Sequence, residues 1–254
     1  MRKVNFYLFL LFLWSFTFFN GQNLHITYTY LTPLHARVQE DLYIKGNHAL
    51  DIRDSVFVYE KAPKSNVSSE NGGIAIRSKN RIYKEAYYKS ASQPKILIKS
   101  NIADKPYWIE DTPPEIQWNT HYDETKIISN YTCKKATGNF RGSSIIAYYT
   151  TDLPYPYGPF KFGGLPGLIL EIREENTDIN QWVTLRIENG FDSKIEVQRP
   201  AHTENLISYK EFEALRQSGN RNDVKKLTSN LPEGTIVSEF RTVRKGIEKK
   251  YEWE

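Results

Sequence analysis

One stretch of the sequence constrains the fold more than any other. Residues 158–170 read GPFKFGGLPGLIL, so several glycines and two prolines lead directly into an apolar run. Glycine reaches positive φ without steric cost, and proline fixes φ at about −65°. The pattern therefore predicts a backbone of closely determined shape over residues 158–167, here called the glycine segment, followed by a buried strand that begins at Leu168.

Alternation of apolar and polar residues predicts strands along most of the chain. Residues 24–30 alternate cleanly, and residues 168–172 and 183–187 predict a hairpin around a turn at 176–180. In this hairpin Val183, Leu185 and Ile187 are expected to face inward, with Trp182 and Thr184 outward. Weaker strand signals occur at residues 38–44, 55–60, 81–89, 95–99, 116–118, 127–128, 131–136, 144–150, 195–197 and 247–253. Residues 64–73 are rich in Ser, Asn and Gly and predict an exposed loop.

The helical signal is confined to the chain after Pro200. Ser208 is the expected N-cap, with Glu211 three residues later as the partner of a capping box. Residues 223–227 predict a second short helix. With no internal repeat and no βαβ rhythm, the sequence predicts one mainly β domain over residues 23–254. Its expected form is a curved antiparallel sheet or open barrel with a short helical insertion near residues 208–230.

The first 22 residues have the character of a secretory signal peptide. Arg2 and Lys3 precede an apolar run over residues 7–19, which is short for a bilayer span. No cysteine follows that run, so we expect a soluble exported protein without a lipid anchor or a membrane span. Removal of residues 1–22 lowers the net charge from +4 to +2, which gives no support for nucleic-acid binding.

The residues around the glycine segment carry a family resemblance. The hexapeptide GLPGLI at residues 164–169 follows DETK at 123–126, YTCKKAT at 131–137 and YYT at 148–150. In this order the motifs resemble those of the GLPGLI family, exported proteins of Bacteroidetes-type bacteria with no established activity. The match is strongest over residues 115–175; Tyr148 stands where family members often carry Trp. The resemblance implies a periplasmic location in a diderm cell envelope, and it supplies no catalytic residues.

The glycine segment has two open interpretations. It could be a fixed loop that packs its aromatic residues on the sheet, or a rim that contacts a ligand or an envelope partner. A phosphate loop is excluded because a strand follows and no Lys-Ser/Thr pair is present. The candidate binding residues are Tyr148, Tyr149, Pro154, Tyr155, Tyr157, Phe160, Phe162, Gly164, Leu165, Pro166, Gly167 and Leu168.

No catalytic or cofactor motif is complete in the sequence. The single cysteine, Cys133, is expected to be a buried structural residue, and the five histidines show no zinc-binding spacing. The leading hypothesis is therefore a periplasmic protein that binds an apolar or peptide-like ligand or an envelope partner, without catalysis or cofactor. The alternatives are a hydrolase or metal-dependent enzyme that uses Cys133 and His121, and a structural accessory subunit with an exposed apolar patch.

Overall fold

A computed structural model of the protein describes residues 23–54, 67–70, 73–76, 84–102, 105–228 and 244–254. The predicted signal peptide at residues 1–22 and the predicted strand at residues 55–60 lie outside these residues. The described strands are β1 (Leu24–Leu31), β2 (Arg37–Lys45), β3 (His48–Arg53), β4 (Val67–Glu70), β5 (Gly73–Ile76), β6 (Glu85–Ser90), β7 (Gln93–Ile102), β8 (Lys105–Asp111), β9 (Thr125–Ile128), β10 (Tyr131–Phe140), β11 (Ser143–Thr150), β12 (Leu168–Glu174), β13 (Gln181–Asn189) and β14 (Leu206–Ser208). One helix, α1 (Tyr209–Thr228), follows β14 directly.

Twelve strands form one sheet in the order β14-β8-β7-β6-β3-β2-β1-β13-β12-β11-β10-β9. Strands β4 and β5 form a separate two-stranded sheet. In the large sheet, two antiparallel meanders, β1-β2-β3-β6-β7-β8 and β9 to β13, join where β1 pairs with β13 and Tyr30 lies opposite Trp182. Because β14 and β9 are edges, the sheet is not closed. The predicted mainly β fold with an open sheet is confirmed, with one departure: β14 pairs with β8 in parallel.

Both faces of β11 and β12 are buried, whereas other strands are buried mainly on one face, which we call the inner face. In β1, the alternating residues Leu24, Ile26, Tyr28 and Tyr30 are at most 7% exposed, as the sequence predicts. Tyr28 donates a hydrogen bond from its hydroxyl to the carbonyl of Ile169 at 2.7 Å. This bond ties the middle strand of the sheet to the end of the GLPGLI hexapeptide.

The predicted hairpin of β12 and β13 is present, but the predicted inward face of β13 is wrong at Val183 and Leu185. Ile187, which lies beyond a register shift in the β1–β13 pairing, packs against the core as predicted. Trp182 and Thr184 are buried, whereas Leu185 is 62% exposed. The indole of Trp182 stacks on Tyr30 with 4.1 Å between ring centroids, and its Nε1 donates to Glu40. A large ring with an acceptor available for its N–H buries more area than a leucine, so the tryptophan takes the inner face.

Helix α1 begins with the predicted capping box. The backbone N–H of Ser208 donates to the Glu211 carboxylate at 2.8 Å, and the N–H of Glu211 donates to the Ser208 hydroxyl at 3.2 Å. The predicted second helix at residues 223–227 is wrong as a separate element, because α1 continues to Thr228. No proline interrupts residues 209–228, so nothing in the sequence ends the helix earlier.

Other local predictions also differ from the structure. Residues 64–73, predicted to be a loop, overlap the β4–β5 hairpin. Strands pair through backbone hydrogen bonds, which do not require an alternating apolar pattern in the sequence. The strands predicted at residues 116–118, 195–197 and 247–253 are absent; the first region makes only an isolated bridge between Asn119 and Thr137. Residues 244–254, here called the C-terminal segment, instead run as a loop, with the N–H groups of Lys249 and Lys250 both donating to the carbonyl of Arg141.

Candidate ligand cavity

Close backbone contacts fix the shape of the glycine segment. A Cβ on Gly167 would lie 2.0 Å from the carbonyl oxygen of Thr150, and one on Gly163 would lie 2.7 Å from that of Pro156. Gly164 has a φ of 86°, a conformation that side chains other than glycine rarely adopt. The segment is therefore pressed against the end of β11 and the loop that follows it, and larger residues do not fit.

Side chains from three distant parts of the chain hold the glycine segment on the inner face. Glu40 accepts the backbone N–H of Phe160 at 2.5 Å, and the ammonium of Lys89 donates to the carbonyl of Phe160 at 2.8 Å. On the other side, the Trp118 indole donates to the carbonyl of Gly163 at 2.9 Å. Because these bonds satisfy backbone groups that irregular structure would otherwise bury unpaired, they stabilise the segment in the core.

The structure separates the twelve predicted binding residues into buried and exposed groups. Eight are buried: Tyr148, Tyr149, Tyr157, Phe160, Phe162, Leu165, Gly167 and Leu168. Tyr155 is half-buried, and three are exposed: Pro154, Gly164 and Pro166. Phe160 alone among the twelve lines the cavity described next.

A cavity of about 320 Å³ lies between the inner face of the sheet, the glycine segment, α1 and the C-terminal segment. Its aromatic wall is formed by Tyr30, Tyr87, Phe160, Trp182, Phe212 and Tyr251. Sites of this volume with aromatic walls and a few convergent polar groups are typical of small-molecule binding. The cavity is therefore the candidate functional site.

The ionic side chains that line the cavity comprise five cations and two carboxylates. The cations are Arg53, Lys161, Arg216, Arg244 and Lys245, and the carboxylates are Glu85 and Glu248. Both carboxylates are occupied by protein donors. Glu85 accepts bonds from the hydroxyls of Tyr87 and Ser100, at 2.6 and 2.9 Å. Glu248 accepts the Lys161 ammonium at 2.8 Å and the Tyr209 hydroxyl at 2.7 Å.

A buried charge cluster lies next to the cavity at Arg53. The fully buried Glu40 accepts Arg53 Nε at 2.7 Å and Trp182 Nε1 at 3.1 Å, while the Arg53 guanidinium lies 4.7 Å from the Tyr30 ring centroid. Burial raises the pKa of Asp51 well above its usual range, and the neighbouring Glu40 raises it further. Asp51 Oδ1 has no donor opposite it, which fits a carboxyl that carries its own proton.

A second cluster fixes the C-terminal segment to the sheet. The buried guanidinium of Arg141 donates to Asp111 at 2.7 Å and to Glu252 at 2.9 Å, and Lys161 contacts Asp111 at 2.7 Å. Burial alone would raise the pKa of Glu248, but Lys161 and Arg141 outweigh it and hold the value below the usual range. The carboxylates of Asp111 and Glu248 pair with Lys161 of the glycine segment, and these ion pairs offset the free energy lost when the ammonium is removed from water.

Cys133 is buried, as predicted. Its thiol donates weakly to the carbonyl of Tyr131 at 3.6 Å, and burial raises the pKa of the thiol to about 11. His121, by contrast, is exposed, with Nδ1 at 3.2 Å from the Asn119 amide oxygen. Across the described ranges no hydrogen bond joins the two, and no group of three or more His, Cys, Asp or Glu side chains is arranged to hold a metal ion.

Sequence reasoning missed the buried ionic residues. Glu40 occupies a position that alternates with Val38, Leu42 and Ile44, all of them buried. A carboxylate on an otherwise apolar strand face signals a buried pair, since such a charge is almost never buried alone. No comparable signal marks Arg53 or Lys245, because the cavity is formed only when distant segments meet.

Comparison with known proteins gives a family match over a short stretch. The model of a family described as "Protein of unknown function (Porph_ging)" matches residues 139–171, which contain β11, the glycine segment and the start of β12. No curated protein matches the chain. Membership of the GLPGLI family therefore stays a prediction.

Solved structures share the fold. Two structures of PNGF-II, in C2 and P21 space groups, align over 78% of this chain with TM-scores of 0.51 and 0.50 at 13% and 14% identity. The aligned region spans about a third of those chains, 33% and 34% respectively. Across the described part of the chain, no helix combines the length and apolar character that crossing a bilayer requires.

Proposed function

We propose that this chain is an exported periplasmic protein that binds an apolar or peptide-like ligand in the cavity, without catalysis. The observation that carries the proposal is the cavity of about 320 Å³ with rings on several sides. Phe160 brings the glycine segment into this wall, where its ring lies 5.9 Å from that of Trp182 and stacks on it. Such rings supply a large apolar contact area without much loss of conformational freedom on binding.

The state of the titratable groups favours binding over catalysis. The carboxylates in the wall, Glu85 and Glu248, already accept bonds from protein donors. A nucleophilic Cys133 would need a lowered thiol pKa and a base beside it, whereas burial raises that pKa to about 11. Three predicted binding residues are exposed, Pro154 in the preceding loop and Gly164 and Pro166 in the glycine segment, and an envelope partner would contact the protein there.

Export rests on the residue pattern of the first 22 positions. Arg2 and Lys3 precede the apolar run over residues 7–19, and the polar residues Asn20, Gly21 and Gln22 follow it. We expect protein recovered from the periplasm of a diderm host to have the mass of a chain that starts near residue 23. Recovery of the uncleaved mass from the membrane fraction would contradict export as a soluble protein.

The binding proposal is tested with the neutral probe N-phenyl-1-naphthylamine, whose fluorescence rises on transfer from water to an apolar site. Gly246 lines the cavity, and a Cβ there would meet no atom within 4 Å, so Gly246→Phe adds a ring without steric strain on the backbone. We expect this variant to lose probe binding while remaining folded.

The matched control is Gly219→Phe. Gly219 lies in α1, is not part of the cavity wall, and likewise has open space at its Cβ position. The control should bind the probe as the wild type does. Equal binding by both variants would place the probe outside the cavity, and no binding by the wild type would remove the support for a ligand site and favour a structural role.

A further inference from the structure

The cavity wall has more free hydrogen-bond donors than free acceptors. Each oxygen of Glu85 and of Glu248 already accepts a hydrogen bond from a protein donor. The wall therefore offers a ligand few free acceptors.

Several hydrogen-bond donors in the wall, by contrast, have no acceptor in the described structure. Lys245 is exposed, and its ammonium has no acceptor within the described ranges. Arg53 Nη2 is buried without an acceptor, although Nε of the same guanidinium is bound to Glu40. A buried N–H that lacks a partner costs stability, and an acceptor delivered by a ligand would remove that cost.

Of the two arginines near the C-terminal segment, Arg216 extends this donor surplus and Arg244 does not. Arg216 uses one nitrogen, Nη2, on Glu213 at 2.8 Å, and Arg244 uses both terminal nitrogens on Glu254, at 2.7 and 2.8 Å. In Arg216 the remaining N–H groups have no acceptor in the described part of the chain. Arg53, Arg216 and Lys245 all line the cavity, so the donors in its wall that lack an acceptor belong to cations.

From this imbalance we infer that the ligand is an organic anion, with a carboxylate, sulfonate or phosphate group held by Lys245 and Arg216 and an apolar or ring-shaped body held by the aromatic wall. The inference rests on the proposed binding function and names its ligand class. Anionic oxygens are the acceptors that guanidinium and ammonium donors bind best. The rings opposite, among them Phe212 and Tyr251, suit the body of the same molecule.

The test compares two probes that differ only in a sulfonate, 8-anilinonaphthalene-1-sulfonate and neutral N-phenyl-1-naphthylamine. Lys245→Gln removes a cation that makes no ion pair within the described structure, so the fold should be unaffected. We expect this variant to bind the sulfonate probe about threefold to tenfold more weakly and the neutral probe as before. The matched control is Lys250→Gln, an exposed lysine of the same segment outside the cavity wall.

The outcomes separate this inference from the proposed function. If the wild type binds both probes equally and Lys245→Gln changes neither, the anion inference is overturned while the cavity still binds a ligand. If Gly246→Phe abolishes neither probe's binding, both ideas fail. If the sulfonate preference is present, competition by phenylacetate against phenyl phosphate distinguishes a carboxylate head group from a phosphate.

Discussion

Replacing Glu40 tests whether the glycine segment is held by a buried charge. The Glu40 carboxylate is fully buried and accepts three donors: the Phe160 N–H, Arg53 Nε and Trp182 Nε1. In Glu40→Gln one of the two acceptor oxygens becomes an NH₂ group, which then faces a donor whichever way the amide is turned. The variant also leaves Arg53 without its closest anion, and breaking a buried pair costs about 3–5 kcal/mol.

Asp51→Asn is the matched comparison, because Asp51 is equally buried and lies in the same cluster. Burial and the neighbouring Glu40 raise the pKa of this carboxyl, which favours its neutral form in the folded protein, and asparagine has nearly the same shape. We expect Asp51→Asn to change the free energy of unfolding by no more than about 1 kcal/mol.

The two variants also differ in their pH dependence. Because the pKa of Asp51 is raised in the folded state, its contribution to stability is complete below the unfolded value of 3.8 and is lost as the pH rises through the folded value. The stability of Asp51→Asn relative to the wild type should therefore increase as the pH rises above the unfolded value of 3.8. Urea unfolding followed by tryptophan fluorescence measures both quantities. Equal losses in the two variants, or a loss below about 1 kcal/mol in Glu40→Gln, would refute the reasoning.

Two further predictions concern the packing around the glycine segment. Gly167→Ala should lower the free energy of unfolding by about 3 kcal/mol, because its Cβ would lie 2.0 Å from the carbonyl oxygen of Thr150. Gly219→Ala, which adds a methyl group in open space on α1, should instead raise the free energy of unfolding by up to about 1 kcal/mol. Similar urea midpoints for the two variants would contradict the close contact at Gly167. Cys133 should resist iodoacetamide at pH 8 in the folded protein and react fully in urea, since burial raises its thiol pKa to about 11; rapid alkylation of the native protein, detected by mass spectrometry, would show that the thiol is accessible.

Local patterns in the sequence were enough to predict the class of fold. The alternation in β1, the hairpin of β12 and β13, and the capping box of Ser208 and Glu211 all depend on residues close together in the chain. The tight course of the glycine segment was also predictable, because glycine and proline limit the backbone wherever they occur. The sequence did not reveal which face of β13 is buried, since alternation gives the period of a strand but not its orientation.

The candidate site depended on contacts that no local pattern contains. Glu40 and Arg53 pair within one meander, while Trp182 reaches them from the other across the β1–β13 junction. Lys245 and Gly246 line the cavity in a segment that Arg141 holds in place. The Arg141 guanidinium donates to the Glu252 carboxylate, and the Arg141 carbonyl accepts the N–H groups of Lys249 and Lys250.

The sequence by itself determined most of the strands, the helix start and the rigid glycine segment, because propensity, alternation and capping act over a few residues. Tertiary structure alone decided that the glycine segment is buried through Phe160 and Phe162, which are 5% and 1% exposed. It also decided which residues line the cavity and which cations keep free donors. The physical reason is that burial and charge pairing depend on the distance between atoms in space, and residues 40, 160 and 182 are brought together only by the folded sheet.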